Sequence, residues 1–400
     1  MSIVRAENFT DYNIPATVTP GSTVRPILYS NGRFNAMGTA SNAVGKDNMA
    51  LKVPDGVYND PEGRRWLNWR IDVNSAATYY FAFTLNTPIV PAAIGGVTFT
   101  SFRVIPMLWP AQSGTVTDPG IGREFVFALS NGTSLPLNSA PNIYLLRQQG
   151  HTMIAAQGGT PISEDLVNLA SPTRTPIQFD IKLERNAAGT CLVSIWCNDV
   201  PVTTNYQVAA TAAYQYAWIG GYKTSSGSFP SPYPPMEFYI KDIVVVNVDG
   251  VGHNYRMGPT ARVQNVLPSS DLIAQWKPPG DVAAPHYPYM ARAYNFPLDT
   301  DGLLADQMGL TESYGFSSLN PALGDKVYAV LLEMMQSNAG SAIRQIELMK
   351  DSTVISTQAS PPNTTPNILT YEMQSNPTTG QAWTTADVSS LVMGYRLKTI

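Results

Sequence analysis

The sequence predicts a mainly β protein: a jelly-roll sandwich followed by a second, smaller β-sandwich. Three observations carry this. Ile177–Arg185 alternates apolar and polar residues at period two, which places Phe179, Ile181 and Leu183 on one side of a half-buried strand. Gly and Pro, at 30 and 32 of 400 residues, punctuate the chain every few residues, as many short strands require. Helical periodicity is rare: Glu164–Leu169 and Leu303–Met308 read as single turns.

The elements follow in order. Strands are predicted at 67–73, 78–85, 123–129 and 142–148. Ile177–Arg185, the turn Asn186–Gly189, Cys191–Cys197, the turn Asn198–Asp199 and a strand opening at Val200 form an antiparallel meander. Glu237–Val248 is long and rich in β-branched residues. From Val251 to Met290 the chain carries Pro259, Pro268, Pro278, Pro279, Pro285 and Pro288. Proline removes ladder donors and stiffens the backbone, so 251–290 reads as an extended linker or arm between domains at 1–250 and 291–400. Beyond it, Val327–Gln336, Ile343–Lys350, Asn367–Gln374 and Val392–Lys398 read as strands, with turns at Asp351–Ser352 and Asn376–Gly380. Thr384 or Thr385 can N-cap a short helix with Asp387 in its first turn.

Composition excludes several classes. Charged residues are 14% and the formal charge is -4, so no basic face is available for nucleic acid or an anionic membrane. No apolar run reaches the roughly 18 residues of a spanning helix, and the first residues lack the apolar core of a secretory leader. Cys191 and Cys197 lie six positions apart on one predicted strand, about 20 Å when extended. That exceeds the reach of a disulfide, so reduced thiols are expected.

His151, His253 and His286 have no metal-ligand spacing, and no nucleophile elbow or complete phosphate loop is present. Asp55, Asn59 and Asp60 could serve calcium but are ordinary turn residues, so no metal and no cofactor are expected. A glycosidase needs paired carboxylates, whereas Glu124, Asp180 with Glu184, and Glu237 with Asp242 are isolated. Asp180 and Glu184 share a strand face and read as solvent-facing. Aromatic rings can stack on a pyranose. Trp109, in Met-Leu-Trp-Pro, and Tyr222 and Tyr233, in the Gly/Ser/Pro-rich stretch 220–235, are the loop candidates for carbohydrate binding, against packing as the plainer reading.

Two resemblances bear on function. Phe179–Arg185, Leu192–Val202, Trp218–Tyr222 and Phe238–Ile243, with Asn48–Gly56 upstream, resemble the concanavalin-like, laminin-G-like sandwich of lectin modules over about 1–250. Asn376–Val388, followed by the Gly-Tyr-Arg-Leu strand, resembles the closing elements of a β-sandwich common in bacteriophage tail and appendage proteins. Val327–Gln336 and Ile343–Val354 look like that unit's earlier strands. The resemblance implies a virion structural protein, made in the host cytoplasm, of the tail fibre, tail appendage or capsid-decorating class. Its partners would be itself as a homo-oligomer, other virion proteins and host surface glycan, and it would not be an enzyme. The alternative is a polysaccharide-degrading depolymerase.

Overall fold

The computed structural model describes residues 2–7, 35–37, 45–47, 50–53, 65–70, 78–86, 93–94, 97–98, 104–110, 123–130, 143–148, 176–185, 190–209, 216–223, 238–248, 256–281, 285–290, 302–319, 326–338 and 340–399. The chain is mainly β and all its ladders are antiparallel. It divides into two compact units, one running to Val263 and the other from Gln264 to Ile400.

In the first unit the strands are β1 (Ser2–Glu7), β2 (Asn35–Met37), β3 (Gly45–Asp47), β4 (Ala50–Val53), β5 (Arg65–Arg70), β6 (Thr78–Asn86), β7 (Ala93–Ile94) and β8 (Val97–Thr98). They continue as β9 (Val104–Pro110), β10 (Arg123–Ser130), β11 (Ile143–Gln148), β12 (Pro176–Arg185), β13 (Thr190–Cys197), β14 (Val200–Ala209), β15 (Tyr216–Lys223) and β16 (Phe238–Asn247). One sheet runs β14-β13-β12-β6-β16-β4-β3, with β1 also on β16. A second runs β2-β5-β15-β10-β11-β9, and β7 pairs β8.

The alternation in β12 works as a core device. Phe179 pairs Phe83 and Cys197, Ile181 pairs Phe81 and Ile195, and Leu183 pairs Tyr79 and Val193. All nine side chains are buried, and the rings of Phe83 and Phe179 lie 5.4 Å apart. Cys191 and Cys197 are free, buried thiols on this same face, as their spacing implied. Burial pushes Cys197 up to about 11 and raises Cys191 as well. The meander turn falls at Asn198 and Asp199, both at positive φ, a conformation short polar residues tolerate.

The second unit begins inside the Pro-rich stretch. β17 (Pro268–Ala274) pairs β18 (Thr311–Phe316), which pairs β23 (Val392–Thr399). β20 (Arg344–Lys350) follows, and then β21 (Thr353–Ser360) closes the sheet. β19 (Val330–Asn338) and β22 (Asn363–Met373) form a separate ladder. Leu332, Met334 and Met373 of that ladder share one buried cluster with Tyr314, Ile346, Leu348, Met393 and Tyr395 of the five-stranded sheet. This makes the unit a β-sandwich. Trp383 closes the cluster and donates its indole N–H to the Met373 carbonyl at 2.9 Å.

Part of the stretch read as an arm is therefore an edge strand. Proline is tolerated at the first position of such a strand because its missing N–H is not required there. The stretch after β17 is bound by carboxylates. Asp271 accepts the N–H groups of His286 and Tyr287 at 2.7 and 2.6 Å. Fully buried Glu312 accepts those of Gln275 and Trp276 at 2.6 and 2.5 Å, the Tyr314 hydroxyl at 2.8 Å, and faces His286 Nδ1 at 3.0 Å. Helix α1 (Tyr287–Met290) starts at this junction. Leu303–Met308 is not helical: Leu304 forms an isolated bridge with Lys277, and Lys277 pairs Asp306 at 2.6 Å. Helix α2 (Thr385–Ser389) is capped by Thr384 in a reciprocal capping box with Asp387, as the sequence implied.

Candidate functional site

The strand registers of the six-stranded sheet sort its residues into two unlike faces. One row runs Pro106–Leu146–Phe127–Ile219–Leu67–Ala36 and is apolar at every position. The flanking row on the opposite face runs Trp109–Tyr144–Ala128–Trp218–Asn68–Asn35. A second row on that face runs Ile105–Arg147–Val126–Gly220–Trp66–Met37. Further along the same face Glu124 stands opposite Tyr222, and Tyr216 stands between Ser130 and Arg70. Positions two apart on a strand share a face, so Trp109, Tyr144, Trp218, Asn68, Glu124 and Arg147 fall on one side together with Ile105, Val126 and Ala128, while the other side is mainly apolar but also carries Arg65, Trp69, Arg123 and Gln148.

Trp109 and Tyr222, read as loop residues, are strand residues. Trp109 lies on edge strand β9 and Tyr222 on interior strand β15. Pro110, in Met-Leu-Trp-Pro, suggested a loop, but an edge strand admits proline. The two positions share one face, three strand spacings apart across the sheet and four residues apart along it, roughly 20 Å. Tyr233, Asp55, Asn59 and Asp60 lie outside the described residues. The face adds Trp66, Trp218, Tyr144 and Arg147, which the sequence reading did not bring together. A bulge in β11 between Tyr144 and Leu146 reverses the alternation there, so parity counting along that strand fails.

The eight-stranded sheet holds a second polar face, opposite Phe179, Ile181 and Leu183. It carries Gln178, Asp180, Lys182 and Glu184 on β12, beside Thr84 and Ala82 on β6 and Trp196 on β13. Asp180 does not face solvent, contrary to the alternation-based expectation. Its relative exposure is 1%, because residues 256–263 lie over it. Glu184 is half-buried and pairs Lys182 at 2.7 Å. Asp180 and Glu184 therefore occupy unlike environments and do not form an acid pair. Among the described residues, no three His, Cys, Asp or Glu side chains converge on a metal position.

No family model and no curated protein matches the chain. Solved structures similar to it include alginate lyase Aly36B, at 12% identity and a TM-score of 0.35, covering 61% of this chain and 96% of that one. An endo-β-1,4-glucuronan lyase from the fungus Trichoderma reesei aligns at 9% identity and a TM-score of 0.32, over 62% and 96%. The carbohydrate recognition domain of Emp47p aligns at 9% and 0.27, over 62% and 99%. The expectation that the chain is not an enzyme is corrected by this set. Two of the three are polysaccharide lyases.

Proposed function

We propose that the chain is a polysaccharide-engaging component of a bacteriophage particle, and that the aromatic and polar face of the six-stranded sheet is where it meets host glycan. The register of that sheet is the observation that carries the reading. A sugar ring offers an apolar face and a rim of hydroxyls. The register puts the positions of Trp109, Trp218 and Tyr222, residues whose rings can stack on a sugar, on the same face as those of Asn68, Glu124 and Arg147, residues with donors and acceptors for its hydroxyls. The virion assignment is supported by the tail-protein resemblance of 376–398 and by the low charge content, since interface cores are depleted of charge. Repeated copies in a particle would multiply a weak single-site affinity.

Binding of the full chain to host capsular or lipopolysaccharide glycan tests this. Trp109→Ala and Tyr222→Ala should each weaken binding about tenfold, as loss of an aromatic anchor does. Leu304→Ala, on an exposed residue of the second unit, should leave binding unchanged. Equal binding by all three variants would sink the reading.

A catalytic reading is favoured by one specific placement. Glu124 and Tyr222 are register partners, and Arg147 is the partner of Val126 two residues on. A carboxylate, a phenol and a guanidinium on one face are groups from which acid–base chemistry on a sugar acid is built. Incubation with a uronate polysaccharide should then produce the ultraviolet absorbance of a new carbon–carbon double bond, and Glu124→Gln should abolish it.

A further inference from the structure

Residues 256–263 end the first unit, and they are fastened at two buried aspartates on the eight-stranded sheet. The Gly258 N–H donates to Asp180. The Arg256 guanidinium lies over the Trp196 ring at 4.5 Å, pairs Asp199 at 2.6 Å, and stops 3.8 Å from Asp180 Oδ2. At the other end the Val263 N–H donates to Asp242 Oδ1 at 3.0 Å, while Arg262 Nε stops 3.7 Å from Oδ2. Asp242 sits at φ 53 in a bulge of β16 between Lys241 and Val244. Neither arginine is within hydrogen-bond reach of the carboxylate oxygen it faces.

Beneath this segment acceptors outnumber donors. Asp180 Oδ2, Asp242 Oδ2, Gln178 Oε1 and Thr84 Oγ1 are all buried with no hydrogen-bond partner, as is one donor, Arg256 Nη1, 3.8 Å from Asp180 Oδ2. Gln178 and Thr84 stand directly opposite each other on β12 and β6. The Gln178 side chain neighbours Asp180, and that of Thr84 neighbours Asp242. Gln178 Nε2 donates to the Phe179 carbonyl at 3.2 Å, which leaves Oε1 as a pure acceptor. A carboxylate facing such an oxygen has nothing to give it. A carboxylic acid does: once protonated, Asp180 Oδ2 can donate to Gln178 Oε1, whereas the Thr84 hydroxyl carries its own proton and can donate to an ionised Asp242.

We propose that residues 256–263 form a proton-linked latch, in which proton uptake at Asp180 and Asp242 holds the segment closed and proton loss loosens it. Burial raises both carboxyls above the usual range, in the same direction. The closed form therefore binds protons more tightly than an open form with hydrated carboxylates. By linkage, closure strengthens as pH falls and weakens as pH rises through the raised values. The groups facing Asp180 are Arg256, Asp199 and Gln178, with Lys182, Glu184 and Tyr80 further along the face. Those facing Asp242 are Lys241, Arg262 and Thr84. The arginines oppose protonation, as do Lys241, the Gln178 and Thr84 side chains and the Gly258 and Val263 N–H groups, so the sign of the pH dependence decides between these partners and proton uptake.

Hydrogen exchange of the full chain, read on peptides spanning 256–263 and corrected for intrinsic rates, tests the latch. Protection should rise on acidification, by up to about tenfold per pH unit for each proton taken up. Asp180→Asn and Asp242→Asn imitate the neutral acid and should hold protection high across the range. Protection that falls on acidification, stays flat in the unmodified chain, or collapses in Asp180→Asn overturns the proposal. The wild-type profile is decisive even if a variant folds poorly.

Discussion

Two buried carboxylates in this molecule do similar work and are built differently. Glu312, in the second unit, binds the chain after β17, and Asp180, in the first, binds the segment after β16. Glu312 is complete: two backbone N–H groups, the Tyr314 hydroxyl and His286 Nδ1 surround its two oxygens. Asp180 is short of donors, with Oδ2 unbonded and Arg256 out of hydrogen-bond range. A fully satisfied buried carboxylate fixes one arrangement of the chain, whereas an incompletely satisfied one leaves the arrangement responsive to its surroundings. The difference separates a structural fastening from an adjustable one, although either would read in sequence as an isolated acid.

Removing the complete network should have the largest effect. Glu312→Ala strands two backbone donors and a phenol in the interior, each costing about 1–3 kcal/mol. A loss of at least about 3 kcal/mol is expected from denaturant unfolding of the second unit. Tyr314 reports on the same change. Burial first, and Glu312 next, hold its phenol far above the ordinary range, and Glu312→Ala removes the second cause. Glu312→Gln keeps the shape and one acceptor and should lose less. A loss under about 1 kcal/mol for Glu312→Ala would mean that the network is dispensable.

At the incomplete carboxylate the corresponding change should be nearly silent. Asp180→Asn gives Gln178 Oε1 a donor and keeps an acceptor for the Gly258 N–H. Its thermal midpoint at neutral pH should match or exceed that of the unmodified protein. A destabilisation above about 2 kcal/mol would show that the charge pairing with Arg256 outweighs the missing proton, and the contrast with Glu312 would disappear.

The fold was legible where one physical rule acted alone. Period-two alternation placed Phe179, Ile181 and Leu183 in the core, and Thr384 with Asp387 announced the helix cap. It failed where a distant segment decided the outcome. Alternation put Asp180 opposite the core but could not show that residues 256–263 cover it. The Glu312–His286 contact joins residues 26 apart on elements with no shared pattern. β21, Thr-Val-Ile-Ser-Thr-Gln-Ala-Ser, escaped recognition as a separate strand because its apolar residues do not alternate. The candidate glycan face depends on register across six strands, and the β11 bulge hides that register from any count along one strand.

A third carboxylate sharpens the comparison from the exposed side. Asp387 accepts the Thr384 N–H at 2.9 Å and the Thr384 hydroxyl at 2.7 Å, and takes a further bond from Asn376 Nδ2 at 3.0 Å. It is as well supplied with donors as Glu312 but stands in solvent. Its carboxyl is held below the usual range, first by the Thr384 hydroxyl and then by the Thr384 N–H. A depressed carboxyl contributes stability above its unfolded pKa and loses it as pH falls through the folded value, the opposite sign to Asp180. Thr384→Ala removes the cap and should cost about 1 kcal/mol at neutral pH, measured by chemical unfolding. The deficit should shrink in strong acid, because protonated Asp387 no longer benefits from those donors. A deficit that stays constant down to the acid limit would assign the cost to the Thr384 side chain alone and detach Asp387 from the cap.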